Sequence, residues 1–595
     1  MNSAGKLVAL RRSMAEAGLD AYVDTGADPH ASEYPPSMWR TRRWLTGFTG
    51  SAGTVAVTSD RAGLWTDYRY WLQAPAELEG SGIDLFREGG EGVADLPDWL
   101  AANLPAGAVV GIDGRTVTEK TASEWESVLG RAGIALVDNA DLIGCIWEGR
   151  PGLPEPKTVE LGTDEAGETR ADKVARLRTA LESAGADTWV GVGLDAAAWL
   201  LNVRGADVPY NPVVIGFLLL TPAGITWFTH SERIPGEIRE SLENSGVSLA
   251  PYGDFFAALS SLPSGVRVYA DPTAVSRAVF RALPKGAVIR TGADPVAALK
   301  SRKNDVEIAR IMHAMEKDGA AVVRFLCRLD HLLSAGRTIS EIEAADMLRS
   351  CRAEMTGFLG DSFSSIPALD AHGAICHYEP REEGAFMLGG GAGLFLIDSG
   401  GQWKEGTTDI TRTVSLGCPA QRQREDYTLV LKAHIAVATA RFPKGTRGYQ
   451  VDALARAGLW RRGMDYGHGT GHGVGYRLNV HEGPQRLSPH PIDVALEPGM
   501  IVSDEPGLYR EGEHGVRIEN LVLCREVGTT EFGTFLGFET LTLAPYDARL
   551  IETGMLDTGE KAWIDGYHEE VRRRLEPLLD GEESDWLRRA TEPLP

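Results

Sequence analysis

The sequence predicts an α/β (α+β) protein built from two small α/β domains and a larger mixed helix–strand domain. Three observations predict it: a helix–strand pattern that occurs twice before residue 300, two breaks in the pattern, and a long helical stretch followed by isolated strand-like runs.

The repeat is direct. LRRSMAEAGLDAYV (10–23) matches LRTALESAGADTWV (177–190), each a helix, a glycine stop and a strand. RWLTGFTG (43–50) matches AWLLNVRG (198–205), and RAGLWTD (61–67) matches PAGITWFT (222–229). The first break is WEGRPGLPEPKTVEL (147–161), where three prolines fall within six residues and remove backbone donors. The second is near 293–304, where ADPVAALKSRKND leads into VEIARIMHAMEKDGAAVVRFLCRLDHLL. These breaks divide the chain into domains 1–155, 156–298 and 299–595. In the third domain GLFLIDSGGQWKEGTTDITRTVSLG (393–417) reads as a β-hairpin, and MIVSDEP (500–506) and GVRIENLVLCRE (515–526) read as further strands. KAWIDGYHEEVRRRLEPLL (561–579) begins a helical, acidic C-terminal tail.

Composition excludes several functions. A net charge of −23 repels nucleic-acid phosphate and anionic membrane surfaces. The arginines of EVRRRLEPL (570–578) read as a solvated helix face. Apolar runs such as VVIGFLLL (213–220) are too short to span a bilayer. The N-terminal MNSAGKLVALRRSMAEAG has no long apolar run and reads as an amphipathic helix, not a signal peptide. Six sparse cysteines without a C-x-x-C pair suit free thiols in a reducing, cytoplasmic setting.

The chemistry is expected after residue 300, because neither repeat holds a dense cluster of titratable residues. YGHGTGHGVGYRLNVHEG (466–483) holds three of the chain's 13 histidines, His468, His472 and His481, among six glycines. That is too much glycine for a regular helix, but it allows close backbone approach. Four carboxylates lie on apolar strands. Asp398 ends the run Leu394–Ile397, Asp409 falls eleven residues later on the opposing strand, Glu505 follows Met500–Val502, and Glu519 sits between Ile518 and Leu521 in another strand. Each alone suits a turn or a wet strand face. Together they are costly to bury unless neutralised, and two divalent cations would neutralise them. Carboxylates with one imidazole suit Mn²⁺ or a similar first-row ion, and Zn²⁺ prefers more nitrogen and sulfur.

The ordered set Asp398, Asp409, His472, Glu505, Glu519 resembles the five ligands of the pita-bread metallopeptidases, the methionine aminopeptidase, prolidase and aminopeptidase P group. IDSGGQWKEGTTDITRT, GHGTGHGVGYRLNVHEGP, SDEPGLY and GVRIEN are together similar to the Xaa-Pro aminopeptidase branch in its long three-domain form. The resemblance extends over SEYPPSMWRTRRWLTGFTGSAGTVAVTSDRAGLWTDYRYWLQA and AWLLNVRGADVPYNPV, and so over most of the chain. It implies two creatinase-like α/β domains followed by a pita-bread catalytic domain. It implies hydrolysis of the bond between an N-terminal residue and a following proline by a metal-bridging hydroxide.

It also implies roles. Asp398 would bind one metal, His472 and Glu505 the other, and Asp409 and Glu519 both. The ions would be Mn²⁺, with Zn²⁺ or Co²⁺ as alternatives. Glu505 would be the general base, and His377, in GAICHYEP, would stabilise the tetrahedral intermediate. His481 would contact the carbonyl and the leaving side, His468 would lie near the proline pocket, and Arg517 would orient a ligand carboxylate. The partners implied are peptides with proline second and a second copy of the chain. No nucleic acid or membrane partner is expected.

Three other readings are open: a prolidase-type dipeptidase, a metal-free enzyme of the creatinase kind, and a non-catalytic peptide-binding module. Two repeats before residue 300 disfavour the first, and the filled ligand set disfavours the others. Tyr476 and Trp403 depart from the pattern and either narrow the substrate entrance or pack internally. Cys376, beside His377, is a candidate nucleophile whose plainer reading is a small buried thiol. Because the resemblance makes water the nucleophile, Cys376→Ser is expected to retain substantial peptidase activity. Loss of all turnover in that variant would restore the thiol.

Overall fold

The computed structural model describes residues 2–138, 141–154, 158–389, 391 and 393–595. The chain forms two compact units, Met1–Gly162 with Glu168–Leu299, and Thr163–Gly167 with Lys300–Pro595. Of the proline-rich break at 147–161, residues 155–157 lie outside the described residues.

The first unit contains the repeat as two sheets of one topology. Helix Ser3–Glu16 starts on the Asn2 side chain, which accepts from Gly5 N–H, and buries Leu7, Leu10 and Met14 at helical spacing. Strand Ala21–Asp24 follows and takes the third interior position of a six-stranded sheet. The strand order is Asp84–Arg87, Ala62–Thr66, Thr54–Thr58, Ala21–Asp24, Val109–Ile112, Ala135–Val137. Helix Arg170–Ser183, capped by Thr169, leads into strand Thr188–Gly191 in the same way. Its sheet runs Val247–Pro251, Gly224–Thr229, Gly216–Thr221, Thr188–Gly191, Arg267–Ala270, Val288–Thr291. In both sheets the strand after the first helix pairs antiparallel on one side and parallel on the other. The run Val213–Leu220 is buried, and much of it is the strand Gly216–Thr221. No helix among the described residues is long and apolar enough to cross a membrane.

The second unit opens with the 30-residue helix Asp305–Ser334, started by a capping box between Asn304 and Glu307. Ile366–Leu369, Leu394–Ser399 and Ile410–Ser415 form a three-stranded antiparallel sheet, with Asp398 opposite Thr411. The expected hairpin is therefore present. Asp409, expected within the opposing strand, instead immediately precedes it. A six-stranded sheet runs Arg441–Pro443, Gly533–Thr540, Asn520–Thr530, Ile501–Asp504, Gly471–Gly473, Glu482–Leu487.

The run at 515–526 is two strands, not one. His514–Arg517 pairs with Gly507–Arg510, and Asn520–Thr530 pairs with Ile501–Asp504. Glu519 sits at the changeover between sheets. The apolar pattern runs through the break and hides the change of partner, because both strands are buried on both faces there. The C-terminal helices Thr558–Leu575 and Gly581–Ala590 contribute Ile564, Tyr567, Val571 and Leu587 to a core shared with Tyr427, Val516, Ile518 and Tyr546.

Glycine is required where strands carrying site residues meet. A Cβ on Gly471 would lie 1.8 Å from the Ser503 carbonyl oxygen. Gly471→Ala must push apart the strands that carry His472 and Glu505. It is expected to destabilise the fold by about 1–3 kcal/mol, the usual range for overpacking, and to weaken metal retention. Urea unfolding and metal content after dialysis measure the two effects, and wild-type values for both would contradict the close approach.

Candidate metal centre

The five carboxylate and imidazole groups singled out in the sequence converge. The donor atoms of Asp398, Asp409 and Glu519 lie within 4.8 Å of one another, as do those of His472, Glu505 and Glu519. A third set with the same spacing joins Asp409 and His472 to His481. His472 Nε2 lies 3.4 Å from Asp409 Oδ2 and 3.4 Å from Glu505 Oε1. Its Nδ1 lies 2.9 Å from the Gly473 carbonyl, an acceptor that places the proton on Nδ1 and turns Nε2 to the carboxylates.

Hydrogen bonds fix the carboxylates without using all their lone pairs. Asp398 Oδ2 accepts from Arg517 Nη2 at 2.7 Å, and Glu519 Oε2 accepts from the Thr411 hydroxyl at 2.9 Å. Ser503 donates its hydroxyl to Glu505 Oε1 at 3.1 Å and accepts from the His472 backbone N–H at 2.9 Å. Asp398 Oδ1 and Glu519 Oε1 are buried with no hydrogen-bond partner. Buried carboxylate oxygens without donors are rare and costly. Hard, oxygen-preferring divalent cations fit this donor set of four carboxylates and one imidazole.

The electrostatics record the same crowding. Burial, reinforced by the neighbouring Asp409, pushes the Glu505 carboxyl up to about 7 despite the opposing pull of His472. Burial raises Glu519 well above the carboxylate range, with Asp409, Glu505 and Asp398 adding to it. Burial also raises Asp398, against the pull of Arg517. For His472, burial disfavours the charge, but the hydrogen bond to Asp409 and the charges of Glu505 and Asp409 prevail and lift it to about 9.

The remaining predicted residues fall around this cluster. The ring of His481 stands nearly perpendicular to that of His472, with centroids 4.3 Å apart. His468 holds the Gly469 carbonyl through Nδ1 at 2.8 Å, so its Nε2 accepts from the Tyr509 hydroxyl at 2.7 Å. Arg517 Nη1 donates to the same hydroxyl at 2.9 Å, which links His468 through Tyr509 and Arg517 to Asp398. His377 is half-buried just past the turn Asp370–Ala374, and the carbonyl of its neighbour Cys376 receives Arg517 Nη2 at 3.4 Å. Tyr476 and Trp403 are fully buried and do not line an entrance. The Tyr476 hydroxyl donates to the Glu165 carbonyl at 2.7 Å and accepts from Arg310. None of the six cysteines is in a disulfide.

Sequence reasoning missed four supports. Tyr509 was legible only as part of the string SDEPGLY, and Thr411 and Ser503 carry no signal of their own. Arg412 is buried and donates to the Glu519 carbonyl at 2.7 Å and to Asn520 Oδ1 at 2.8 Å. An arginine within a strand reads as exposed until its partners are seen.

The matches to known proteins follow this geometry. Residues 309–526 match metallopeptidase family M24, and 534–594 match the C-terminal region of that family. Residues 6–145 and 149–307 each match the creatinase/prolidase N-terminal domain. A probable Xaa-Pro aminopeptidase P from Neurospora crassa is 38% identical over all of this chain and 89% of its own length. The chain belongs to the Xaa-Pro aminopeptidase P family. Aminopeptidase P2 of Arabidopsis thaliana is 37% identical over 99% of this chain and 88% of its own. The crystal structure of an X-prolyl aminopeptidase from Caenorhabditis elegans, described as a cytosolic enzyme with a di-nuclear active site, superimposes over 100% of both chains at 33% identity and TM-score 0.95. An Xaa-Pro dipeptidase from Bacillus anthracis, at 25% identity and TM-score 0.50, covers 64% of this chain but 99% of its own. Membership of this M24 branch accounts for the long architecture of two N-terminal domains.

The shifted groups make metal uptake pH-dependent. Glu505 at about 7 lies above an ordinary unfolded glutamate, so the metal-free fold loses stability as pH rises from about 4.5 through 7. His472 at about 9 acts in the same direction, contributing stability below about 6.5 that is lost as pH rises through 9. Cations bind the deprotonated ligands, so loading must release protons. The gain in Tm on adding Mn²⁺ to chelator-treated protein is therefore expected to widen from about pH 5 to pH 8. Thermal unfolding with and without metal measures it, and a gap independent of pH would contradict the buried-carboxylate account.

Proposed function

We propose that this protein is a dinuclear-metal Xaa-Pro aminopeptidase that removes the first residue of peptides with proline in second place. The observation that carries the reading is the convergence of Asp398, Asp409, His472, Glu505 and Glu519 with two buried carboxylate oxygens that lack donors. Asp398 would serve one metal, His472 and Glu505 the other, and Asp409 and Glu519 both. When bound, two divalent ions supply Lewis acidity that polarises the scissile carbonyl and lowers the pKa of water from ~15.7 toward ~7. Mn²⁺ is the ion we assign, because oxygen donors dominate the set.

The chain's own residues divide the remaining work. Glu505 accepts the proton of the attacking water and returns one to the departing proline nitrogen. His481, packed against His472, donates toward the substrate carbonyl. His377 donates to the developing oxyanion, and such donors are worth most in a water-poor site. His468 and Tyr509 form the polar edge of the proline pocket, held by Arg517.

The aminopeptidase reading is favoured over a dipeptidase by the full-length match to the Caenorhabditis elegans structure, whereas the Bacillus anthracis dipeptidase covers 64% of this chain. We assign the enzyme to the cytoplasm on its cysteines, none of which is in a disulfide, and on the cytosolic description of that structure. We also propose a homodimer, as the family resemblance implies. The domain limits 1–155, 156–298 and 299–595 stand as our division of the chain.

The test is metal add-back. Chelator-treated protein is expected to release the first residue of an Arg-Pro-Pro peptide only after Mn²⁺, Co²⁺ or Zn²⁺ is restored, with release followed by mass spectrometry. Hydrolysis of dipeptides alone would move the reading to a prolidase. His472→Ala and Asp409→Ala are each expected to lower kcat/KM by more than about a hundred-fold, beyond the 10–100-fold typical of outer-shell changes. An active His472→Ala enzyme would sink the dinuclear assignment.

A further inference from the structure

Glu341 is the first residue of helix Glu341–Ala353 and has a side chain 0% exposed. No sequence signal marks it, and the mechanism above does not use it. Yet its carboxylate takes donors from four points of one segment. Oε1 accepts from Leu369 N–H at 2.8 Å and from His372 Nδ1 at 2.9 Å. Oε2 accepts from the Tyr378 hydroxyl at 2.8 Å and from Phe386 N–H at 2.8 Å. The Glu341 backbone N–H donates in return to the Phe386 carbonyl at 3.0 Å, and Ser340 pairs with Met387 in a short antiparallel bridge. The His372 ring lies stacked on Tyr378 at 4.3 Å and on Phe386 at 3.7 Å.

All four donors lie between residues 369 and 386, the segment that carries His377. His377 is the immediate neighbour of Tyr378, whose hydroxyl ends on Glu341. On its other side Cys376 is held through its carbonyl by Arg517, which also binds Asp398. His377 is thus suspended between two anchors, one tied to the metal ligands and one to a buried carboxylate outside the ligand set. The segment contains short turns and little regular structure, so its own backbone ladder does not fix it. A carboxylate that collects backbone and side-chain donors from both ends and the middle of such a segment does fix it.

We propose that Glu341 is a positioning residue for catalysis: it holds the 369–386 segment so that the His377 imidazole is presented to the reacting carbonyl. The proposal rests on the oxyanion-stabilising role assigned to His377 above. It makes no demand on metal binding, because none of the four donors is a metal ligand.

A double-mutant cycle tests it. Kinetics on an Arg-Pro-Pro peptide are measured for the metal-loaded wild type, Glu341→Ala, His377→Ala and the double variant, with metal content determined in each. Glu341→Ala is expected to lower kcat by roughly ten- to a hundred-fold, the scale of a misplaced catalytic group, with metal content and KM close to wild type. In the His377→Ala background the same substitution should have little further effect, because the group it positions is gone. Tyr378→Phe, which removes one donor and leaves the carboxylate, should show a smaller fall in kcat of the same kind, and it serves if Glu341→Ala does not fold. Equal losses in both backgrounds, or lost metal, would make the role merely structural and overturn the proposal. Full activity of Glu341→Ala and Tyr378→Phe beside a crippled His377→Ala would also overturn it while leaving the His377 assignment intact. A fully active His377→Ala would overturn that assignment and the proposal with it.

Discussion

The burial of four carboxylates around one imidazole is the constraint on which the second unit is built. Asp398, Asp409, Glu505 and Glu519 face one another across short distances, with Arg517 and His472 as nearby positive partners. Bringing a carboxylate out of water costs several kcal/mol even after relaxation. The free oxygens of Asp398 and Glu519 show that the polypeptide alone does not satisfy these groups. A chain that retains such an arrangement is organised for cations, and the raised Glu505, Glu519 and Asp398 carboxyls are the physical signature of that arrangement without them.

Holding mutually repelling groups together requires stiffness from behind. Asp504 and Asn520 face each other in register, one residue from Glu505 and Glu519 respectively. His434, fully buried, hydrogen-bonds the Asp504 carbonyl at 3.1 Å and lies 3.0 Å from its Oδ2, and its other nitrogen meets the Tyr546 hydroxyl at 2.9 Å. Arg412 ties the Glu519 carbonyl to Asn520, to the Ala544 carbonyl and to the Tyr567 hydroxyl. Tyr567 belongs to the C-terminal helix Thr558–Leu575. The helical tail is therefore part of the scaffold of the metal centre, a role its sequence gave no reason to expect.

Much of this protein was legible in one dimension. The duplicated α/β architecture followed from strings such as LRRSMAEAGLDAYV and LRTALESAGADTWV, because a helix and strand that share one sheet need the same apolar spacing and the same glycine stop. The candidate ligand set followed from four carboxylates on apolar strands, each with an ordinary reading alone but costly together, and from the resemblance of their order to the pita-bread metallopeptidases. The glycines around His472 followed from the need for close strand approach, which the contact of Gly471 with Ser503 makes concrete.

What the sequence alone determined is the inventory: two repeated α/β units, and a third domain with Asp398, Asp409, His472, Glu505 and Glu519 as candidate ligands and His377, His468 and His481 as candidate substrate-binding residues. Only the tertiary structure decided the supports. The break at Glu519 depends on a change of strand partner, and periodicity carries no information about partners. Glu341, Tyr509, Arg412 and His434 act through hydrogen bonds to residues 8 to more than 100 positions away. A buried polar side chain has the same letter as an exposed one, and its role is set by whichever donors the fold brings within about 3 Å.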